Sequence, residues 1–338
     1  MKAALKISRE NLEIKEVPKP KLGPNDCLIK VKACAICGSD TWWLENSGPE
    51  DLIRGHEIAG IVEEVGKDVK YWFHGDHVVI YVVIGCGKCS FCARGIPTYC
   101  PNLKGSIGYI KELEGRRIGG GFGEYLTVPA NLLLPLPDRF DFVVGSLFTD
   151  TIGVPMRALR KAQLKEGDTV IIWGLGPMGL VAVQGAKVLG AERVIGIDLL
   201  ANRRNLAEKL GADYTINPQK EDPIRLVKKL TRGLGAQVAI NTVAKDEIAQ
   251  MAYQSIRLNG VLVCIAGRVL AGGYDERRVT ASWYFTLPEY ELNIGLIKKG
   301  LIKLDFLVTH VYPLRDINTA FSTRFHSKGK SLKVVVTP

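Results

Sequence analysis

The sequence lacks the features that would place it in or across a membrane. No uninterrupted apolar stretch approaches the length of a membrane-spanning helix. Its first residues, MKAALKISRENLEIKEV, are charged throughout and contain no apolar core of a signal peptide. We therefore expect a cytoplasmic protein with no membrane partner. Structural disulfides are rare in that reducing compartment, which weakens a disulfide role for the eight cysteines.

Long runs of like charge, internal repeats and low-complexity segments are also missing. The net charge is +10 and the pI is near 9.1, so acidic partners must be considered. No basic stripe is interleaved with aromatic residues, however, and solvated surface lysines account for the charge more simply. We therefore expect no nucleic-acid partner, and a zinc-containing nucleic-acid-binding protein is the distant alternative.

The 338 residues are enough for two domains, and the local patterns divide accordingly. Short strands punctuated by Gly and Pro run to about Leu147 and predict an irregular, mostly antiparallel β domain. From about Phe148 to Trp283, apolar strands alternate with amphipathic helices, which predicts a doubly wound parallel sheet. The tail from Tyr284 returns to a helix and two strands, and we expect it to rejoin the first domain. The predicted domains are therefore 1–148 with 284–338, and 149–283.

A glycine array follows the first apolar strand of the second domain. The strand TVIIWG leads into GLGPMG, a G-x-G-x-x-G array formed by Gly174, Gly176 and Gly179 that also contains Met178. Because the array directly follows a strand and opens a helix, it predicts a dinucleotide-binding loop that includes all four residues. The glycines permit a tight turn, close approach of a pyrophosphate and close packing of the helix.

An acidic residue follows the next strand at the distance typical of a ribose-binding carboxylate. This residue is Asp198, and it favours NAD over NADP because a carboxylate repels a 2′-phosphate. Arg203 and Arg204 lie five and six residues later and act in the opposite sense. We expect Arg203 to lie beside the adenosine ribose.

Half of the cysteines crowd into one stretch, GCGKCSFCARGIPTYC, at residues 85–100. Disulfides, a redox pair and a metal are the competing explanations, but a redox pair would need only two thiols. Four thiolates suit zinc and fill all of its tetrahedral positions. The spacing therefore predicts a closed, structural zinc centre bound by Cys86, Cys89, Cys92 and Cys100.

A second, incomplete set of ligands lies upstream in AICGSD and GHEIAG. Cys37, His56 and Glu57 are the residue types of a catalytic zinc centre, which must keep one position open. Asp40 is placed to accept the free imidazole N–H of His56 and orient the ring. A further ligand is expected near the domain junction, where SLFTDTIGVP offers Asp150. Whether Glu57 or Asp150 binds the metal directly stays open.

Together these motifs resemble the zinc-containing medium-chain alcohol and polyol dehydrogenases, the sorbitol and cyclitol dehydrogenases among them. The resemblance covers essentially the whole chain and rests on CGSD at 37–40, GHE with Gly60 and Gly66, GDHV at 75–78, the four-cysteine loop, and GLGPMG followed by Asp198. It implies an α/β fold in which a GroES-like catalytic domain accompanies a Rossmann domain. It also implies two zinc ions per chain, NAD as the cofactor, and a homo-oligomer, dimer or tetramer.

The resemblance also implies roles for individual residues. Cys37 and His56 match the catalytic zinc ligands, and Glu57 matches an acid that coordinates zinc in some members and stands behind it in others. Asp150 falls where polyol dehydrogenases carry a glutamate. Ser39 matches the hydroxyl that shuttles the proton of the alcohol.

One departure from the family bears on the substrate. Many relatives, threonine dehydrogenases included, have a histidine five residues past the cysteine, where this chain has Trp42. The resemblance implies hydride transfer between NAD(H) and a secondary alcohol or ketone, and the missing histidine counts against threonine and favours a polyol, cyclitol or aminocyclitol. Extra hydroxyls of such a substrate would pair with polar neighbours such as Glu57 or Glu45. Trp42 and Trp43 either form an apolar wall under a substrate ring or only pack within the domain. The alternative is a simple alcohol or L-threonine.

Overall fold

The computed structural model describes residues 1–47, 50–270, 276–327 and 329–338. Within these ranges the chain divides into two compact units, Met1–Asp150 with Leu304–Pro338, and Thr151–Lys303. In the described ranges, no helix has the length and apolar character needed to cross a bilayer.

The described elements are numbered in chain order. Those up to Asp150 are β1 (Lys2–Ser8), β2 (Asn11–Glu16), β3 (Asp26–Ala35), α1 (Gly38–Asn46), β4 (Glu57–Val65), β5 (His77–Ile80), β6 (Val83–Ile84), α2 (Ser90–Ala93), β7 (Gly105–Ser106), β8 (Glu112–Leu113), β9 (Arg116–Arg117), β10 (Tyr125–Pro129), β11 (Leu133–Pro135) and α3 (Phe142–Gly145). Those that follow are α4 (Asp150–Lys161), β12 (Thr169–Trp173), α5 (Pro177–Val188), β13 (Arg193–Ile197), α6 (Ala201–Lys209), β14 (Tyr214–Ile216), α7 (Pro223–Leu230), β15 (Ala236–Asn241), α8 (Asp246–Ser255), β16 (Ile256–Cys264), β17 (Arg278–Ala281), α9 (Leu287–Lys298), β18 (Val308–Pro313), α10 (Ile317–His326) and β19 (Lys333–Thr337). Short 3₁₀ segments lie at Pro97–Tyr99, Ala130–Leu132, Ser146–Phe148, Asp305–Leu307 and Leu314–Asp316.

The first unit is organised around a seven-stranded sheet of order β11-β5-β4-β3-β19-β18, with β10 also paired to β3. Its pairings are antiparallel except for the parallel pair β18–β19. Strand β3 reads DCLIKVKACA and is buried along most of its length, as expected for a central strand. At its end, Ala35 pairs with Glu57 of β4 on one side and with Val335 of β19 on the other. This register brings the chain just before Cys37 beside the start of β4 and the start of β19.

The second unit contains a six-stranded parallel sheet of order β14-β13-β12-β15-β16-β17. Counted within the unit, that order is third, second, first, fourth, fifth, sixth, which is the doubly wound arrangement of dinucleotide-binding domains. Strand β12, TVIIW, is buried at every position because helices must cover both faces of a parallel sheet. The predicted fold class, an irregular β domain plus a doubly wound parallel sheet, is confirmed.

The unit boundaries differ from the predicted domain boundaries at the second crossing. The first division, after Asp150, lies close to the expected 148/149, but the chain returns at Leu304 rather than at 284. Helix α9 belongs to the second unit because it is bonded to α4. In that contact, Arg157 Nη1 lies 3.0 Å from Glu289 Oε2, and Arg160 Nη2 donates to Asn293 Oδ1 at 2.8 Å.

Candidate active site and metal centres

The four cysteines of the loop at 86–100 converge as predicted. Their sulfur atoms all lie within 4.8 Å of one another, and none of the eight cysteines forms a disulfide. Cys89 caps α2 by accepting a hydrogen bond from the Cys92 N–H at 3.5 Å, and Cys100 Sγ accepts from the Cys86 N–H at 3.3 Å. The chain thus turns around a small space lined by sulfur.

This space fits a zinc ion. The sulfur atoms of Cys89 and Cys100 are 3.8 Å apart, and zinc–sulfur bonds of about 2.3 Å at tetrahedral angles give a spacing of about 3.8 Å. A side chain at Gly85 would begin 2.6 Å from the Cys92 sulfur, so only glycine lets the loop close. Backbone N–H groups of Lys88 and Cys89 lower the pKa of Cys86 to about 6, whereas burial raises the pKa of Cys92 to about 12. A cation among the sulfurs stabilises all four as thiolates.

The second cluster is assembled from three distant elements of the first unit. Cys37 caps the start of α1, His56 immediately precedes β4, and Asp150 is the first residue of α4. Asp150 Oδ2 lies 3.7 Å from Cys37 Sγ and 3.7 Å from His56 Nε2. These distances are long for hydrogen bonds, yet donors that share a tetrahedral metal are about 3.3–3.8 Å apart. The donor set therefore fits a zinc ion with one position left for substrate.

Asp40 lies behind the histidine, as the sequence predicts. Its Oδ2 accepts the Cys37 N–H at 3.0 Å, and its Oδ1 lies 3.5 Å from His56 Nδ1. Both side chains are buried. Burial alone would lower the pKa of His56, but Asp40, Tyr109 and Asp150 together outweigh it and raise that pKa well above its usual value. The Asp40 carboxylate thus lies beside one nitrogen of the imidazole ring, whose other nitrogen faces Asp150.

Glu57 belongs to the same cluster but is engaged by a residue that the sequence analysis missed. Its carboxylate is fully buried and accepts a hydrogen bond from Lys333 Nζ, at the start of β19. Burial would lower the pKa of Lys333, but Glu57, Cys37 and Asp150 together outweigh it and raise that pKa, so the lysine stays charged. The pairing of Glu57 with substrate hydroxyls stays a prediction, and one of its carboxylate oxygens is already bonded to Lys333. A lysine opening the otherwise apolar strand KVVVT was the only sequence signal.

Ser39 has a partner that the sequence also did not reveal. Its Oγ lies 2.6 Å from the Oη of Tyr109, seventy positions away. Of the two tryptophans considered as a wall, Trp43 is 5% exposed and donates its indole N–H to Glu50 Oε2 at 3.0 Å. Trp42 is 68% exposed. Trp43 is therefore a packing residue. The side chain of Trp42, which occupies the position of the missing histidine, points towards solvent.

The glycine loop of the second unit has the geometry that a dinucleotide needs. Gly174 adopts a positive φ of 87°, and a side chain at Gly179 would begin 1.9 Å from the Gly174 carbonyl oxygen. Gly176 is the N-cap of α5, and a side chain there would meet only open space. Met178 is half-buried in the first turn of α5. A phosphate can thus reach the free N–H groups at the start of α5.

Asp198 is fixed at the end of β13 beside this loop. Its two carboxylate oxygens accept the N–H groups of Leu175 and Leu200, at 2.8 and 2.9 Å. Arg203 Nη1 lies 3.8 Å from Asp198 Oδ2, whereas Arg204 donates to the carbonyl oxygens of Asp198 and Leu199, both at 2.8 Å. The guanidinium of Arg204 is thereby turned to the backbone.

These two units supply complementary chemistry. The first unit offers Cys, His and carboxylate donors that would hold a zinc ion able to polarise an oxygen, and the glycine loop of the second would hold a dinucleotide able to accept a hydride. A protein with both capacities is a zinc-dependent dehydrogenase.

Known proteins place the chain within that class. Residues 23–138 match the family model "Alcohol dehydrogenase GroES-like domain", and residues 177–288 match "Zinc-binding dehydrogenase". L-threonine 3-dehydrogenase of Symbiobacterium thermophilum is 32% identical over 96% of this chain and 94% of its own. Sorbitol dehydrogenase of Bacillus subtilis strain 168 is 28% identical over 100% of this chain and 97% of its own. A structure from Sinorhizobium meliloti 1021, solved with NADP, matches with a TM-score of 0.87 at 28% identity, covering 100% and 99% of the two chains.

The chain belongs to the zinc-containing medium-chain alcohol and polyol dehydrogenase family. It is an oxidoreductase that moves a hydride between a nicotinamide dinucleotide and an alcohol or ketone, with zinc as its metal. The predictions of family, enzyme class and cofactors are confirmed.

Proposed function

We propose that this enzyme interconverts a polyol and its ketone with NAD, and that Cys37, His56 and Asp150 hold its catalytic zinc. The observation that carries the ligand set is the position of Asp150 Oδ2, 3.7 Å from both Cys37 Sγ and His56 Nε2. Glu57 is the alternative acid, but its charge is matched by Lys333. Asp150 therefore supplies the third ligand, and Glu57 stays behind the centre.

When bound, zinc lowers the pKa of the substrate hydroxyl and the dinucleotide takes the hydride. Ser39 accepts the departing proton at its Oγ and passes it towards solvent. Asp40 keeps His56 Nε2 facing the metal position by holding the opposite side of the ring. Lys333 compensates the buried charge of Glu57 and so keeps the centre neutral enough to bind an uncharged alcohol.

A polyol is the substrate class that these residues support best. An acid occupies position 150, where the resemblance places the acid of polyol dehydrogenases, and Trp42 replaces the histidine of many alcohol and threonine dehydrogenases. Among the relatives, the Bacillus subtilis protein named sorbitol dehydrogenase acts on such a compound. The hydroxyls of Ser39 and Tyr109 are polar groups beside the centre that extra substrate hydroxyls can reach.

The test is NAD reduction measured across sugar alcohols, cyclitols, aminocyclitols, short aliphatic alcohols and L-threonine. We expect the best polyol to exceed ethanol and butanol by about 100-fold or more in kcat/KM, because unpaired polar groups in the site disfavour the shorter alcohols. Faster oxidation of a short alcohol would remove the polyol assignment and leave the zinc-dependent hydride transfer standing.

L-threonine is the second candidate because a protein named L-threonine 3-dehydrogenase is 32% identical over 96% of this chain. Trp42 argues against it, since the histidine at that position of threonine dehydrogenases is missing. The same screen separates the two, since only a threonine dehydrogenase would prefer the amino acid to every polyol.

The dinucleotide preference is proposed to be for NAD. Asp198 is held by two backbone N–H groups at the end of β13, where its charge opposes a 2′-phosphate. Arg204 is committed to backbone carbonyls and Arg203 lies beside the Asp198 carboxylate. We expect kcat/KM for NAD to exceed that for NADP by about 10-fold or more. A preference for NADP would mean that Arg203 recognises the phosphate despite the acid.

The cellular location of the enzyme and its oligomeric state are also proposals. None of its eight cysteines forms a disulfide, which suits the reducing conditions of the cytoplasm. A homo-oligomer, dimer or tetramer, stays a prediction that light scattering on the purified zinc-loaded protein tests directly.

A further inference from the structure

Tyr109 contacts the candidate active site from a part of the chain that no motif singled out. It lies between β7 and β8, beyond the four-cysteine loop, and its Oη is 2.6 Å from Ser39 Oγ. In the part of the chain that the structure describes, Tyr109 is the one side chain that hydrogen-bonds to Ser39. The proposed proton acceptor of the reaction therefore has a single, short and specific partner.

The ring of Tyr109 is fixed independently of its hydroxyl. It lies against His56, with ring centroids 5.1 Å apart, and the Arg54 guanidinium lies 4.1 Å from its centroid on the ring face. Arg54 is only 6% exposed and also lies 5.0 Å from the Trp43 ring. A phenol ring in contact with both a histidine and a buried cation has little freedom to move.

The backbone adds a second constraint. Gly108 has a φ of 75°, and a side chain there would begin 2.5 Å from the Gly55 carbonyl oxygen. The segment that carries Tyr109 is therefore packed directly on the segment that carries Arg54 and His56. The hydroxyl of Tyr109 is placed by the same contacts that place His56.

A serine hydroxyl on its own rotates among three positions and offers one donor and two acceptor sites. A rigid partner at 2.6 Å removes that freedom and leaves the remaining lone pair and proton with fixed directions.

We propose that Tyr109 is a positioning residue of the hydride-transfer reaction, whose phenol hydroxyl holds Ser39 in the orientation that accepts the substrate proton. The inference rests on the role given above to Ser39, but not on the substrate being a polyol. Tyr109 acts through Ser39 and leaves the metal ligands unchanged.

The test is a double-mutant cycle of Tyr109→Phe and Ser39→Ala, run with whichever alcohol the unaltered enzyme oxidises fastest. Tyr109→Phe keeps the ring between Arg54 and His56 and removes only the hydroxyl. We expect kcat to fall roughly 10- to 100-fold with KM and zinc content little changed, because orientation and not binding is lost. In the Ser39→Ala background the same change should have almost no effect. An undiminished loss in that background would overturn the proposal.

Tyr312→Phe is the matched control, because it removes a tyrosine hydroxyl that lies 2.9 Å from Thr323 Oγ1, away from the site. It should leave kcat unchanged. A readout independent of turnover is the NMR signal of the ring carbon that bears the Tyr109 hydroxyl, measured with labelled tyrosine. Ser39→Ala should shift that signal, and an unchanged signal would show that the two hydroxyls are not paired. This measurement stands even if no polyol proves to be a substrate.

Discussion

The four-cysteine loop and the Cys37–His56–Asp150 centre lie in the same unit and fit the same metal, but they are built in opposite ways. The loop gathers its ligands from residues 86–100, so local turns bring them together. The other centre draws on residues 37, 56 and 150, which the register of β3 with β4 and the start of α4 bring together. A local centre can order the chain around it, whereas a distributed centre requires the fold first.

The difference predicts that equivalent substitutions will have different consequences. Removing a ligand of the loop should mainly lower the stability of the protein. Removing a ligand of the distributed centre should mainly lower kcat/KM. Its sharpest test uses the same Cys→Ser change in both centres, each serving as the control for the other.

The largest effect is expected from Cys37→Ser. The change removes a thiolate from the open centre, so kcat/KM should fall by about 1,000-fold or more, since the metal supplies several kcal/mol of stabilisation in the transition state. Elemental analysis should show one zinc per chain instead of two, with Tm almost unchanged. If Tm collapsed along with activity, this centre would also hold the fold together and the contrast would fail.

Cys89→Ser should give the reverse pattern. It removes a ligand and the cap of α2, so we expect Tm to fall by roughly 10 °C and the loop zinc to be lost. Turnover per remaining folded molecule, measured well below the new Tm, should stay within a factor of a few. A variant with full stability and two zinc ions would show that this loop does not need its metal.

Lys333→Met tests the charge that lies behind the distributed centre. Removing the lysine leaves Glu57 buried without its cation, which costs about 3–5 kcal/mol in the free energy of unfolding. Adding Glu57→Gln should recover a large part of that loss. Lys30→Met, on the exposed side of β3, is the control and should change stability by no more than about 0.5 kcal/mol. Denaturant unfolding of the four proteins decides whether Glu57 and Lys333 act as a pair.

The smallest effect is expected from Asp40→Asn. The amide keeps the shape but loses the charge that orients His56, so zinc affinity or kcat should fall about 10- to 100-fold. Asp138→Asn is a matched control because Asp138, whose side chain is 98% exposed, lies 3.7 Å from His77. Competition with a zinc chelator measures the zinc affinity. Equal affinities of the two variants would show that Asp40 does not support the catalytic zinc centre.

Much of this molecule could be predicted from local sequence. The four cysteines at 86–100 and the glycine array at 174–179 each lie within one short segment. The residue types and their spacing in such a segment already indicate how it folds around a metal or a phosphate. The doubly wound sheet could also be predicted, because the alternation of strands and helices is visible in the local sequence pattern. Residues 284–303 were less predictable, because the local sequence of the helix there does not show which unit it packs against, and its bonds with Arg157 and Arg160 join it to the second unit.

The class of chemistry could be predicted from sequence, because Cys37, His56 and the glycine array have recognisable neighbours along the chain. The long-range partners of Glu57 and Ser39 became visible only in the folded chain. The bond from Lys333 to Glu57 joins residues 276 positions apart, and the contact between Ser39 and Tyr109 joins residues 70 apart. Contacts of this kind depend on strand register and loop packing, which no spacing along the chain records.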